Sequence, residues 1–201
     1  MNIGVIGLKG AWSSEALSSA LQKRGAGGQI IELSDIHCDM NAGEFFDTAG
    51  SLERFDGIII KKMGRTYTPA LLDQLDLLAW LNRKGLPIFS GPDRLRDMIS
   101  RLGCTLRLRE HDIPMPKTLI TENLNVANDW VQDNGPSVFK PLYSTKARGM
   151  KVIHPGDQTK DELKQCLTQG QSIIYLQQFN DLKGQDHGLI FLDGDFLGAY
   201  S

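Results

Sequence analysis

One stretch of the sequence, residues 137–153, reads SVFKPLYSTKARGMKVI and consists of two short apolar runs joined by a polar loop. Two runs of β-branched and aromatic residues around a glycine-containing loop predict a β-hairpin. Backbone N–H groups, hydroxyls and cations at one hairpin tip favour the binding of a polyphosphate. The residues of the tip that carry these groups are Ser144, Thr145, Lys146, Arg148 and Gly149. Lys140, at the end of the first strand, is expected to point into the same space, and a solvated basic turn is the alternative.

Composition places the chain among ordinary globular proteins. It has 201 residues, of which 41% are hydrophobic and 23% charged, enough for one large or two small domains. A net charge of −2 argues against a nucleic-acid-binding surface over the whole molecule. The three cysteines are widely spaced and predict reduced thiols in a cytoplasmic protein. No apolar run reaches the roughly 18–20 residues of a membrane span, so no membrane partner is expected.

The first half of the chain alternates apolar strands with amphipathic helices. Strands are predicted at residues 2–7, 29–33, 55–61 and 86–90, and helices at 11–24 and 69–84. This alternation predicts an α/β domain, residues 1–91, with a Rossmann-like parallel sheet covered by helices. Trp12, Trp80 and Trp130 fall on apolar helix faces and are expected in the core.

The second half, residues 92–201, predicts a different, α+β organisation with antiparallel pieces. A long helix over 93–110 is followed by an extended segment at 113–118, where two prolines disfavour helix. The remaining predicted elements are a helix at 126–134, the hairpin around Lys140, a helix at 160–167, a strand at 173–179 and a hairpin at 189–199.

The first predicted strand-to-helix turn carries three glycines. Gly4, Gly7 and Gly10 are spaced G-x-x-G-x-x-G, which differs from the G-x-G-x-x-G spacing of dinucleotide-binding turns. Glu32 ends the second strand and could act as the acidic ribose ligand of such a site. An NAD(P)-binding oxidoreductase is therefore an alternative interpretation of residues 1–90.

The order of features after residue 92 is more specific. The segment DIPMPKT at 112–118 precedes the Lys140 strand and its loop, and IIYLQQF at 173–179 precedes GQD at 184–186. This order resembles the ATP-grasp superfamily, in particular its RimK-like carboxylate–amine ligases with a glutathione synthetase-like nucleotide-binding fold. The resemblance implies a Rossmann-like domain that precedes α+β ATP-grasp subdomains.

The resemblance also implies roles for individual residues. Lys140 resembles the family's strand lysine, the loop from Tyr143 to Gly149 resembles its phosphate-covering loop, and Asp186 resembles its ribose ligand. The hinge from Leu176 to Phe179 would read the adenine edge through its backbone N–H and C=O groups. The ATP-binding residues so implied are Arg101, Lys140, Ser144, Thr145, Lys146, Gly149, Gln177, Gln178, Phe179 and Asp186, with Arg148 and Lys146 as catalytic candidates.

The sequence departs from the family pattern in three places. Arg101 stands where the family usually has lysine, and Gln178 replaces the usual glutamate. The family's magnesium carboxylates lie well downstream of the hinge, whereas Asp193 and Asp195 are more typical of a hairpin turn. The sequence therefore predicts no metal ligand, and the ATP-grasp region is expected to be incomplete at its C-terminus.

The activity implied by the resemblance is ATP-dependent ligation. ATP phosphorylates a carboxylate, and an amine attacks the resulting acyl phosphate. ATP and Mg²⁺ are the expected cofactors, and a small-molecule or peptide carboxylate and an amine are the expected substrates. A homo-oligomer is compatible with this interpretation. The alternative from a different class is a noncatalytic nucleotide-binding module or fragment.

Overall fold

A computed structural model describes residues 1–145, 147–167, 172–181 and 186–201. The chain divides into two compact units. The first unit comprises residues 1–114 and 141–149, and the second comprises residues 115–140 and 150–201. The predicted domain boundary near residue 92 therefore falls within the first unit, and the division into domains at that point stays a prediction.

The first unit contains the predicted parallel sheet. Its elements in chain order are β1 (Ile3–Ile6), α1 (Trp12–Gln22), β2 (Gly27–Ile31), β3 (His37–Asp39), β4 (Glu44–Asp47), β5 (Gly50–Ser51), β6 (Gly57–Ile60), α2 (Ala70–Arg83), β7 (Ile88–Phe89), α3 (Pro92–Ile99) and α4 (Arg101–Glu110). The sheet has the order β2-β1-β6-β7, and every neighbouring pair is parallel. Side chains from β1, β6 and α2, such as Ile6, Ile58 and Leu78, are fully buried in its core. The predicted α/β architecture is confirmed.

A small antiparallel sheet of strands β3, β4 and β5 was not predicted. These strands have two to four residues and mix polar with aromatic side chains, so they lack the apolar alternation that marks a strand. A hydrogen-bonded ion pair between Arg54 and the buried Asp47 supports the turn beside them.

Two expectations for the helices are wrong. The predicted helix over 93–110 is interrupted at Ser100, which has an extended ψ of 116° and ends α3. Ser100 caps α4 instead, because its hydroxyl accepts a hydrogen bond from the N–H of Gly103 at 3.3 Å. Trp12 is 84% exposed rather than in the core. The buried face of α1 is formed by the small residues Ser14 and Ser18.

Close packing explains this choice of face. A Cβ on Gly7 would lie 2.6 Å from the hydroxyl of Ser14, and a Cβ on Gly28 would lie 2.6 Å from the carbonyl of Ser18. The helix therefore approaches the sheet through small residues, and a hydrophobic pattern does not reveal that face. Trp80 and Trp130 pack against the two cores as predicted.

The second unit is built on an antiparallel sheet. Its elements are β8 (Thr118–Thr121), α5 (Leu124–Asn134), β9 (Ser137–Phe139), β10 (Lys151–Ile153), α6 (Thr159–Cys166), β11 (Ile174–Gln178), β12 (Gly188–Leu192) and β13 (Asp195–Tyr200). Strands β9 and β10 form the predicted hairpin, and the sheet order is β10-β9-β11-β8. Side chains of α5 and α6 join Phe139, Ile174 and Leu176 in a buried cluster. Strands β12 and β13 form a separate two-stranded hairpin.

The three cysteines are free, and burial raises the pKa of the Cys166 thiol. Within the described residues, no helix combines the length and the apolar character that crossing a membrane requires.

Candidate ATP-binding site

The end of β9 places Lys140 beside the central strand β11. The backbone N–H of Lys140 donates to the carbonyl of Tyr175 at 3.0 Å, which continues the β9–β11 ladder beyond its last paired residue. Side chains alternate between the faces of a sheet. Phe139 and Leu176 point into the core with α5 and α6, so Lys140, Tyr175 and Gln177 lie on the opposite face.

A chain of side-chain hydrogen bonds fixes the ammonium group of Lys140. Its Nζ donates to Oε1 of Gln177 at 2.5 Å, and Nε2 of Gln177 donates to the hydroxyl of Thr118 at 3.1 Å. That hydroxyl donates in turn to the carbonyl of Pro116 at 2.9 Å. Because the Thr118 proton is used at Pro116, its oxygen must accept from the amide nitrogen of Gln177, which turns the amide oxygen toward Lys140. We call these contacts the Lys140 relay.

The relay shows side-chain contacts of Thr118 and Gln177 that the sequence did not indicate. Thr118 ends the P-x-P-x-T segment, but the pattern itself did not indicate which group it would contact. Gln177 was predicted as a hinge residue that acts through its backbone, whereas its buried side chain bridges β9, β11 and β8. The Gln177 amide is neutral, so this contact fixes the position of the Lys140 ammonium without adding an opposite charge.

Two backbone N–H groups of the hinge already have hydrogen-bond partners within the protein. The N–H of Gln178 donates to the carbonyl of Lys117, and the N–H of Phe179 donates to the carbonyl of Pro136, each at 2.9 Å. The predicted adenine contacts of these two residues are therefore restricted to their carbonyl oxygens. The Phe179 ring is 43% exposed at the end of the strand.

Residues 141–149, which we call loop 141–149, belong to the first unit although they connect two strands of the second. Arg101 contacts the start of this loop. Its Nε donates to the carbonyl of Pro141 at 2.8 Å, and its Nη2 donates to the hydroxyl of Ser144 at 3.0 Å. Its backbone N–H donates to the carbonyl of Leu142 at 3.0 Å. The structure thus brings together Arg101 and Ser144.

The second part of the loop is a tight turn. Ala147 and Gly149 have positive φ values of 56° and 72°, and the N–H of Arg148 donates to the carbonyl of Thr145 at 3.2 Å. The guanidinium of Arg148 donates to the carbonyl of Arg65 at 3.2 Å. The glycine is required here, because a left-handed backbone disfavours a Cβ. Lys146 lies outside the described residues.

The predicted ribose ligand, Asp186, is exposed and lies just before β12. In the β12–β13 turn, Asp193 and Gly194 have φ values of 53° and 90°, so Asp193 is a hairpin-turn residue.

The described residues do not offer a magnesium site. Within 1–145, 147–167, 172–181 and 186–201, no three His, Cys, Asp or Glu side chains come together in a group that could hold a metal ion. The magnesium implied by the resemblance therefore has no ligand set assigned to it in this part of the chain.

The backbone N–H groups of the glycine turn between β1 and α1 already donate to side chains of the protein. The N–H groups of Leu8, Lys9 and Gly10 donate to the hydroxyl of Ser14 at 3.1 Å, to Oε1 of Glu32 at 3.0 Å and to Oε1 of Glu15 at 2.8 Å, respectively. Glu32, the candidate ribose ligand, thus binds the turn itself. Two carboxylates already occupy the amide groups that a dinucleotide phosphate would use.

The family comparison agrees with the geometry of the second unit. Residues 106–201 match the family model for the ATP-grasp domain of prokaryotic glutathione synthetase. Over these residues the chain is similar to an ATP-grasp domain. The match begins within α4 and includes the Lys140 relay, the hinge and loop 141–149.

The chain is also similar to individual ATP-grasp proteins. It is 20% identical to the tetrahydromethanopterin:α-L-glutamate ligase of Methanosarcina acetivorans over 94% of this chain and 63% of that protein. It is 31% identical to glutathione synthetase of Synechocystis over 42% of this chain and 27% of that protein. The chain thus spans less than two thirds of the length of these curated relatives.

Solved structures show the same fold. The RimK-domain ATP-grasp protein of Sphaerobacter thermophilus superposes with a TM-score of 0.77 at 17% identity, over 99% of this chain and 72% of that one. The D-alanyl-alanine synthetase A of Vibrio cholerae superposes with a TM-score of 0.64 at 14% identity, over 98% of this chain and 64% of that one. The predicted ATP-grasp fold is confirmed.

Proposed function

We propose that this chain binds ATP for a carboxylate–amine ligase of the RimK-like type. The proposal is supported by the ATP-grasp match over residues 106–201 and by similarity to proteins named as a glutamate ligase and as glutathione synthetases. The reaction class is the transfer of the γ-phosphoryl group of ATP to a carboxylate, followed by attack of an amine on the acyl phosphate. The acceptor would be a small molecule or a peptide.

The observation that carries the proposal is the Lys140 relay. The lysine stands at the end of a strand, and its ammonium group is held at one place by the amide of Gln177. Phosphoryl transfer relies on such preorganised charge, because the negative charge of the phosphate oxygens must be stabilised without rearrangement. In the proposed complex, Lys140 binds phosphate oxygens, and the carbonyl groups of Gln178 and Phe179 accept from the adenine amino group.

Loop 141–149 has the composition of a phosphate cover. The proposed roles of Ser144, Thr145 and Gly149 are hydroxyl and backbone contacts to phosphate, and those of Lys146 and Arg148 are charge stabilisation during transfer. Asp186 is proposed to accept from the ribose. Magnesium would supply charge stabilisation in such a reaction. The described residues hold no ligand set for it, so no step is assigned to the ion.

Calorimetric titration with ATP and, separately, with NADH tests the proposal. We expect saturable binding of ATP and none of NADH, because the first glycine turn is occupied by Glu15 and Glu32. Formation of ADP and phosphate together with the amide product of a carboxylate and an amine would establish ligation. Saturable ATP binding without ADP formation would favour the noncatalytic module, and NADH binding alone would favour the oxidoreductase.

A further inference from the structure

Arg101 has a different partner from the one that its position suggests. The family lysine at this place implies a phosphate contact, but the guanidinium of Arg101 is directed at the protein. Two of its nitrogens, Nε and Nη2, donate to the carbonyl of Pro141 and the hydroxyl of Ser144 at 2.8 and 3.0 Å. A planar guanidinium can hold two acceptors in fixed directions at once, whereas a lysine ammonium is a single point charge.

The N-terminus of α4 contacts the same loop. Arg101 is the first residue of α4, and its backbone N–H donates to the carbonyl of Leu142 at 3.0 Å. The first N–H groups of a helix have no partner within the helix. Ser100 caps one of them at Gly103, and Leu142 satisfies another. The loop is therefore attached to α4 by one backbone contact and two side-chain contacts of the same residue.

Two other residues of the loop contact the rest of the first unit. Arg148, near the end of the loop, donates from Nη1 to the carbonyl of Arg65. Tyr143, near its start, packs against the core of the first unit. Contacts within the first unit thus hold residues at both the start and the end of loop 141–149. The contacts of Arg101 lie at the start of the loop, next to the hydroxyl groups proposed to bind phosphate.

We propose that Arg101 is a positioning residue that holds loop 141–149 for ATP, and that it acts through the loop rather than as a phosphate ligand. This inference rests on the proposed ATP-binding function. It explains why arginine stands where the family usually has lysine. A lysine would supply the charge but would have to reach both Pro141 and Ser144 from a single nitrogen, whereas arginine uses two.

The decisive variant is Arg101→Lys, with Arg107→Lys as its matched control. Arg107 lies on the same helix and pairs with Asp97 on the exposed surface. Two properties are measured for each variant: the exchange rates of the residue-101 and Arg148 amides without nucleotide, by NMR, and the ATP dissociation constant, by calorimetry. The residue-101 amide reports on the loop directly, because its acceptor is Leu142 in the loop.

We expect Arg101→Lys to exchange the residue-101 amide about tenfold faster and to bind ATP about tenfold more weakly, because one ammonium nitrogen replaces the two directed contacts of the guanidinium. Arg107→Lys should change neither quantity by more than about twofold. Ser144→Ala, a milder change, should weaken ATP binding by about threefold in the wild type and by a smaller factor in Arg101→Lys, because part of its effect is the loss of the Arg101 contact.

Three results would overturn the inference. If Arg101→Lys keeps wild-type exchange and affinity, the residue is a phosphate ligand that lysine can replace. If Arg101→Lys loses affinity while amide exchange is unchanged, the residue contacts phosphate and needs the guanidinium. If exchange accelerates while ATP affinity stays the same, the contact is structural only. Failure of the proposed function is distinguishable, since the wild-type protein itself would then not bind ATP.

Discussion

Two turns of this molecule carry glycines next to possible phosphate donors, and they differ in what surrounds their amide groups. In the turn between β1 and α1, the N–H groups of Lys9 and Gly10 donate to the carboxylates of Glu32 and Glu15. In loop 141–149, hydroxyls and Arg148 lie near the turn, and Arg101 donates to its start. The first turn is filled by the protein's own anions, and the second is surrounded by donors and positive charge.

The difference shows why glycine spacing alone is a weak indication of phosphate binding. Glycines at the first turn allow close packing, since a Cβ on Gly7 would contact Ser14 at 2.6 Å. Gly149 allows a left-handed turn inside a cationic loop. The same residue type thus has a packing function in one place and a loop-shaping function in the other. The charge of the neighbouring side chains distinguishes the two cases.

The largest expected effect on ATP affinity comes from Lys140, and Lys9 in the first turn is the comparison. Lys140→Ala should weaken ATP binding by about ten- to hundredfold, the equivalent of ~1.5–3 kcal/mol for a charge-assisted contact. Lys9→Ala, in the first turn, should leave the affinity unchanged. Calorimetric titration of both variants checks this. Equal losses in the two, or no loss in Lys140→Ala, would contradict the assignment of the site.

Loss of one hydrogen bond in the Lys140 relay should reduce ATP affinity less than loss of Lys140 itself. Thr118→Val removes the acceptor of the Gln177 amide, and leaving a buried donor without a partner costs about 1–3 kcal/mol of stability. Because Gln177 then no longer fixes Lys140, ATP affinity should fall by about three- to tenfold. Urea unfolding and calorimetry measure the two quantities. Thr118→Ser, which retains the hydroxyl, should behave like the wild type; a similar loss in that variant would show that the hydroxyl is not the group that matters.

The two glycines with similar backbone angles provide a matched pair. Gly10 and Gly149 have φ values of 75° and 72°, so alanine at either position should cost about 1–2 kcal/mol of stability. A Cβ on Gly149 would also lie 3.1 Å from Cγ of Pro141, whereas Gly10 has open space around it. Only Gly149→Ala should alter ATP affinity, by about two- to fivefold. An equal change of ATP affinity in Gly10→Ala would indicate that the first turn takes part in ATP binding.

The smallest expected effect concerns the anion that fills the first turn. Glu32→Ala leaves the N–H of Lys9 without its side-chain partner, which should lower stability by about 0.5–1.5 kcal/mol. Glu32→Gln keeps an accepting oxygen and should lose less. Neither variant should change ATP affinity, and thermal unfolding with and without ATP measures both properties. A gain of nucleotide binding in Glu32→Ala would mean that the turn can accept a phosphate once the carboxylate is gone.

The elements that the sequence predicted well are those that depend on local patterns. The apolar runs of β1, β6, β9 and β11 and the periodicity of α2 are local, and the structure contains all of them. The break at Ser100 was missed, because the apolar pattern continues through it while the capping contact is made by a hydroxyl. The small antiparallel sheet was missed because its strands are too short to show a period.

The sequence predicted which residues form the candidate site but not which groups they contact. Lys140 and loop 141–149 could be identified from charge and order along the chain. The partners of Lys140 and Arg101 lie 37 and 43 residues away in sequence, at Gln177 and Ser144. No local pattern specifies such a pairing, and only the strand register and the helix position bring these groups together. For the same reason the sequence could not show that Arg101 contacts the loop.

In the proposed complex, adenine nucleotide binds at the Lys140 relay and not at the first glycine turn. Photolabelling with 8-azido-ATP, followed by peptide mapping, tests it directly because the reactive azide is on the base. We predict labelled peptides from the end of β11, residues 176–181, that disappear with excess ATP and are strongly reduced in Lys140→Ala. Competable labelling of residues 4–10 or of Glu32, with none at 176–181, would contradict the account.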